Sequence, residues 1–234
     1  TSQMPSQHGV RHIFHELQRR ETTLAEHLKQ RGLATAGVIS HFVIGDDFGY
    51  GQGFDSYDAS PVGDHRAVTS DAVTDGAIAA VDRLAGEPFF LFVHYFDPHW
   101  YYNHHPRFDQ TQDYTGDLLP GMEIGDLRAR RDQLSAADVA YLEGLYREEI
   151  AFTDHQVARL LDHLAARGLD QDTVVILTAD HGEEFMQHGW IGHTATLYEE
   201  LIHVPLVVHA PGRFAARQVD TPVSLLDLAP TILD

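Results

Sequence analysis

Cysteine is absent from the 234 residues, so this chain offers no disulfide and no thiolate metal ligand, and composition leaves the redox compartment open. Lysine is almost absent: Lys29 is the only one among 16 basic residues, which face 35 acidic ones for a net charge of −19. A chain so short of cations is a poor partner for nucleic acid or an anionic membrane. The same charge fits a salt-adapted protein, where screening relieves self-repulsion. The preference for arginine over lysine equally fits a GC-rich genome. No apolar run approaches the roughly 20 residues of a membrane-spanning helix. No signal peptide is visible, which says little about location, because the chain opens on Thr1 as if in mid-domain.

What is present is size and pattern. With 43% hydrophobic and 10% aromatic residues, the chain can bury one large α/β core. Its organising stretch is 173–209, TVVILTADHGEEFMQHGWIGHTATLYEELIHVPLVVH. Residues 174–177 have the length and branching of a buried parallel strand. That run ends in Thr178-Ala179-Asp180-His181-Gly182. A carboxylate and an imidazole thus stand side by side at a strand's carboxyl end, where open α/β sheets bind ligands. Adjacent oxygen and nitrogen donors can reach one divalent cation from a single turn, and Gly182 lets the backbone bend there. Gly192-His193, Leu197-Tyr198-Glu199-Glu200 and a second apolar strand at 204–208 follow. Asp-His-Gly in isolation reads as a polar turn; the whole string carries more.

The order of strand, DHGEE, HG, GH, LYEE, VPLVV and APGR resembles the sulfatase family of the alkaline phosphatase superfamily. The resemblance implies an α/β fold, a three-layer α/β/α sandwich with a mostly parallel sheet, in a single catalytic domain over 1–234. Strands near 34–39, 89–95, 173–179 and 204–209 are expected in one sheet. The implied activity is metal-dependent hydrolysis of a small-molecule or glycan sulfate ester. Asp180 and His181 are implied as half of a divalent-metal site, with calcium ahead of magnesium, manganese or zinc. The family carries HYFDPH where this chain has His94 to His99, and its last histidine bonds the sulfate, a role that transfers to His99. His193 stands where many sulfatases have lysine, as a donor to the anion or an acid near the leaving group. At Ser40-His41-Phe42 a family lysine is missing, and His41 is its candidate replacement in binding substrate. Glu183 and Glu184 either orient His181 or are exposed acids opening a helix.

Thr1-Ser2, Pro5 and His8-Gly9-Val10 fit the loop that follows the family nucleophile. On this alignment the formylglycine nucleophile and the first metal aspartates lie upstream of Thr1, and a smaller subdomain follows Asp234. The 234 residues alone are therefore expected to be nearly inactive, with Thr1 a bystander rather than a nucleophile. Two other functions stay open: a phosphodiester or phosphonate hydrolase or phosphotransferase of the same superfamily, and a catalytically silent binding homologue. Retention of Asp180, His181, His99 and His193 speaks against silence.

The remaining chain reads more simply. Thr22 or Thr23 caps a helix with Glu26 completing a capping box, and Gly32 ends it. Asp46 and Asp47 read as a solvated loop, since no nucleophile signature follows them. A helix follows with Val68, Ala72, Ala79 and Leu84 among its apolar positions. His94 reads as structural. Residues 106–134 read as a polar, irregular loop over a site mouth. Ser135 and Asp138 cap a long helix in which Val139, Leu142, Tyr146, Ile150, Thr153, Val157, Leu160 and Leu164 keep helical spacing, with Arg147, Glu148 and His155 on its solvated face.

Overall fold

A computed structural model describes residues 1–64 and 66–234. In chain order its elements are α1 (Pro5–His8), α2 (Leu24–Gln30), β1 (Ala34–Val38), β2 (Ser56–Asp58), α3 (Ser70–Leu84), β3 (Phe89–Val93), α4 (Ile124–Ala129), α5 (Ala136–Ala166), β4 (Val175–Thr178), α6 (Glu199–Ile202), β5 (Leu206–His209) and α7 (Leu228–Leu233), with short 3-10 turns between. They pack as two compact units. One comprises Thr1–Gly63, Thr69–Phe96 and Ala216–Asp234; the other comprises Asp64–Val68 and Asp97–Ala215.

The first unit is built on a parallel sheet of order β2-β1-β3. Side chains alternate across β1. Ala36 and Val38 meet Val73 and Ala80 of α3, with Leu91 and Val93 of β3 closing the cluster. Gly37 lies against Tyr57, whose ring occupies the space a β-carbon would need. Thr23 and Glu26 form the expected capping box, Glu26 N donating to Thr23 Oγ1 at 3.1 Å and Thr23 N to Glu26 Oε2 at 2.8 Å. The face α3 buries is Val73, Thr74, Ala77, Ala80 and Val81, whereas Ala72 and Ala79 are exposed and Val68 precedes the helix. Each buried valine there contributes about 1.5–3 kcal/mol. An alanine-rich helix offers two plausible apolar stripes, and the branched residues pick the one that fits the sheet. Asp46 and Asp47 are exposed on a 3-10 turn, as expected.

The second unit is organised by the 31-residue α5, capped by Ser135 and Asp138. Tyr141, Leu142 and Leu145 of α5 pack with Tyr102, Leu118, Leu127, Phe185 and Ile191. Residues 106–134 are thus partly ordered: they contain α4 and bury Leu118 and Leu127. The expectation that β4 and β5 join β1 and β3 in one sheet is not met. β4 pairs antiparallel with β5, Val175 opposite His209, in a separate two-stranded sheet. Val174 and Leu177 are exposed rather than buried, as are all four residues of β5. An apolar run signals a strand but not its direction, because the ladder partner decides that.

Glu148 departs most from its expected place. It is 0% exposed, although it was expected on the solvated face, and its neighbour Glu149 is 1% exposed. The cause is hydrogen bonding. Glu148 Oε2 accepts from His104 Nδ1 at 2.7 Å and His105 N at 2.8 Å, and Oε1 accepts from Gln110 N at 2.8 Å and Thr111 Oγ1 at 3.1 Å. Four donors offset the desolvation of one carboxylate and fasten the 104–111 segment to the helix.

Candidate active site

Four of the residues singled out in the sequence converge within the second unit. Asp180 and His181 follow β4; His193 lies on the loop that leads back towards α6; His99 follows Asp97-Pro98. The His193 ring stacks on His181, with centroids 4.0 Å apart, and meets His99 edge-on at 5.0 Å. It also stacks on Trp100, at 4.4 Å and 13°.

The glycines explain how the chain reaches this geometry. Gly182 passes so close to the Glu200 carbonyl that a side chain would collide with it, and its N–H donates to Leu201 O at 2.8 Å. Gly192 has φ +91°, a left-handed conformation that favours glycine, immediately before His193.

Each imidazole has Nδ1 against an acceptor. His181 Nδ1 donates to Gly182 O at 2.9 Å, His193 Nδ1 to Glu183 Oε1 at 3.0 Å, and His99 Nδ1 to Trp100 O at 3.0 Å. A carbonyl or carboxylate accepts only, so the proton sits on Nδ1, and in His181 and His193 this turns Nε2 into the working nitrogen. Asp180 Oδ1 accepts from His181 N at 3.0 Å, and its Oδ2 lies 3.8 Å from His181 Nε2. One imidazole nitrogen and one exposed carboxylate oxygen on the same turn suit a divalent cation, with the Gly182 carbonyl fixing the ring as outer partners of metal ligands do. Among the described residues no third His, Asp or Glu atom joins them.

Glu183 and Glu184 are buried and open no helix, which corrects the view of them as exposed acids. Glu183 orients His193 rather than His181. Glu184 accepts from Thr196 Oγ1 at 2.7 Å and from His188 N at 3.1 Å, bracing the loop that carries His193. Two phenols lie nearby, Tyr102 buried and Tyr146 partly so. Burial pushes the Tyr102 hydroxyl well above its ordinary range, and Glu183 adds to the shift. Tyr146 is pushed up to about 12 by burial, then by Glu183, Glu149 and Asp180. Sequence reasoning missed Glu183 as the partner of His193, and it missed Arg128, which stands over Trp100; spacing alone gives no sign of a stacking partner.

His41 belongs to the first unit, where it is 7% exposed and stacked on Phe96 at 4.2 Å. His94 is half-buried in the same unit, its carbonyl accepting from Ser40 Oγ at 2.9 Å. A further His–carboxylate group, His104, Asp109 and Glu148, has ligand atoms within 4.8 Å of one another. The oxygens of Glu148 are already engaged by the four donors described above, so this group works as a clamp on the 104–111 segment.

A strand-end acid–imidazole pair and a cluster of histidines thus stand together in a chain of the α/β class. The chain belongs to the sulfatase family: the Sulfatase family model matches residues 1–234. That places it in the alkaline phosphatase superfamily. Arylsulfatase K of Bos taurus is 38% identical over 97 residues, covering 42% of this chain and 18% of the relative. The uncharacterized sulfatase YidJ of Escherichia coli (strain K12) is 32% identical over 176 residues, covering 66% of this chain and 34% of the relative. The chain therefore spans about a third or less of the length of these curated relatives. Among solved structures, BT4656 in complex with D-glucosamine-2-N,6-O-disulfate superposes with a TM-score of 0.76 at 19% identity, covering 100% of this chain and 64% of that one. The phosphonate monoester hydrolase SpPMH from Silicibacter pomeroyi gives 0.75 at 19% identity, covering 100% and 61%. These likenesses carry the α/β, alkaline-phosphatase-like fold expected from the sequence.

Proposed function

We propose that the protein hydrolyses sulfate esters, with residues 1–234 forming part of one catalytic domain. The observation that supports this most is the position of His193, in ring contact with both His181 and His99 beside Asp180. An anionic ester approaches a chain of net charge −19 only where the local field is positive. Asp180 and His181 would hold a divalent ion, calcium by preference, which supplies positive charge at a non-bridging oxygen of the ester. His99 would donate to the bound anion. His193, its Nδ1 proton held by Glu183, would take up a second proton and, as an imidazolium, donate it from Nε2 to the leaving oxygen.

The substrate class is supported by the family and by a structural neighbour solved in complex with a sulfated glucosamine. A sulfated glycan or small sulfate ester is thus the proposed substrate. A second reading, hydrolysis of phosphonate monoesters, rests on the equally close fold of the Silicibacter pomeroyi enzyme. Kinetics of the full-length protein on an aryl sulfate, an aryl phosphate diester and an aryl phosphonate monoester separate them. The highest kcat/KM is expected for the sulfate; a preference for the phosphonate would overturn the reading.

A further inference from the structure

Arg128 lies on α4, inside the segment that the sequence marks only as a polar loop. Its Nε donates to Ile191 O at 2.9 Å. Its guanidinium carbon stands 5.4 Å from the Trp100 ring centre and 5.0 Å from that of Trp190. These are the two tryptophans of the whole chain. Nη2 is closed off from solvent, has no hydrogen-bond partner among the described residues, and would stand 2.5 Å from a β-carbon at Gly192. Among those residues Arg128 makes no ion pair. Burial lowers its proton affinity, while Glu183 and Tyr102 raise it.

These contacts lead to one residue. Trp190, Ile191 and Gly192 are the three residues before His193, and Trp100 is the ring stacked on it. Arg128 therefore touches both the backbone path that delivers His193 and the indole that supports its ring. Ile191 is fully buried, so the carbonyl that Arg128 grips is a fixed point. A guanidinium can lie on aromatic faces while donating from its edge, whereas a lysine ammonium cannot do both from one place. A structural pin alone has no need of an unpaired cation against an indole stacked on an active-site imidazole; a positioning group does.

We propose that Arg128 is a positioning residue for His193, acting through Trp100 and the 190–192 backbone rather than by touching substrate. The proposal rests on the reading of His193 as part of the reaction site, and its test has one arm that does not depend on turnover. In the full-length protein Arg128→Lys is expected to lower kcat by about tenfold or more, as a small misplacement of a reacting group does, with KM changed by less than about threefold. Trp100→Phe should lower kcat similarly, and the double variant should lose less than the product of the two. A raised KM with unchanged kcat would make Arg128 a substrate contact instead, and wild-type kinetics in Arg128→Lys would overturn the proposal.

The second arm uses the 234-residue chain. In a Trp190→Phe background Trp100 is the single indole, so its emission reports the stack on His193. His193→Ala should shift that emission when Arg128 is present and leave it unmoved when Arg128 is replaced by Lys. Equal shifts in both backgrounds would overturn the proposal whatever the enzyme turns over. If Arg128→Lys does not fold, as judged by circular dichroism, Arg128→Met, which keeps the stem and removes the charge, decides by the same comparison.

Discussion

Glu183 Oε1 and His193 Nδ1 lie 3.0 Å apart, with side-chain exposures of only 3% and 12%. The carboxylate comes from the turn just after Asp180-His181, and the imidazole from ten residues further on. The acid that follows the proposed metal ligands thus fixes the tautomer of the histidine proposed to face the leaving group. That coupling is the basis of the first test.

Glu183→Gln keeps the shape of the side chain but replaces an obligate acceptor with a group that can donate. In the full-length protein it should lower kcat by about 10–100-fold, the range for partners that orient a site imidazole. Thermal unfolding should change little. Kinetics and calorimetry on the same preparation check both statements, and an unchanged kcat contradicts the role given to Glu183.

Asp180→Ala removes the exposed carboxylate beside His181 Nε2. Titration calorimetry with calcium on the full-length protein should show binding weakened by at least about tenfold, with ester hydrolysis lost in parallel. Adding a chelator to wild type should reproduce the loss. Calcium binding that survives the substitution places the metal elsewhere.

The stability of the fold should fall towards alkaline pH through Glu149. Burial pushes its carboxyl up to about 8, opposed by the N–H of Asn103 and aided by nearby Asp97. A folded value above the unfolded one means that the folded chain binds the extra proton. The stability from this group is complete below the ordinary carboxyl range and is lost as pH rises through about 8. Glu149→Gln keeps a neutral side chain, so its unfolding temperature should drop less between pH 6 and pH 9 than that of wild type. Parallel declines would show that Glu149 does not titrate in this way.

Glu148→Ala should be severely destabilising, because it strands the buried N–H of His105 and takes the acceptor from the N–H of Gln110. Each unsatisfied donor costs about 1–3 kcal/mol, so a loss of about 3 kcal/mol or more is expected in urea unfolding. A loss under about 1 kcal/mol would mean that water replaces the carboxylate and that the 104–111 segment is not clamped.

The sequence by itself determined the local parts. The Thr23–Glu26 and Ser135–Asp138 boxes are legible because caps depend on residues three apart. The strands at 89–93 and 175–178 are legible because branched and aromatic runs favour extended backbone, and the one at 34–38 through the family's helix–strand pattern. Asp180, His181, His99 and His193 are legible as a set through family pattern and strand-end position. Tertiary structure alone decided the rest. Whether β4 runs parallel depends on its ladder partner, β5, whose pairing leaves no mark within either run. Glu148 and Glu183 look like surface acids until the donors that meet them, from 104–111 and from His193, are brought in from other parts of the chain. Arg128 has no signal in its own segment, because a guanidinium between two indoles exists only after α4, Trp100 and Trp190 have been packed together. Periodicity reports what each residue does along its own element, and burial of charge is settled by what arrives from elsewhere.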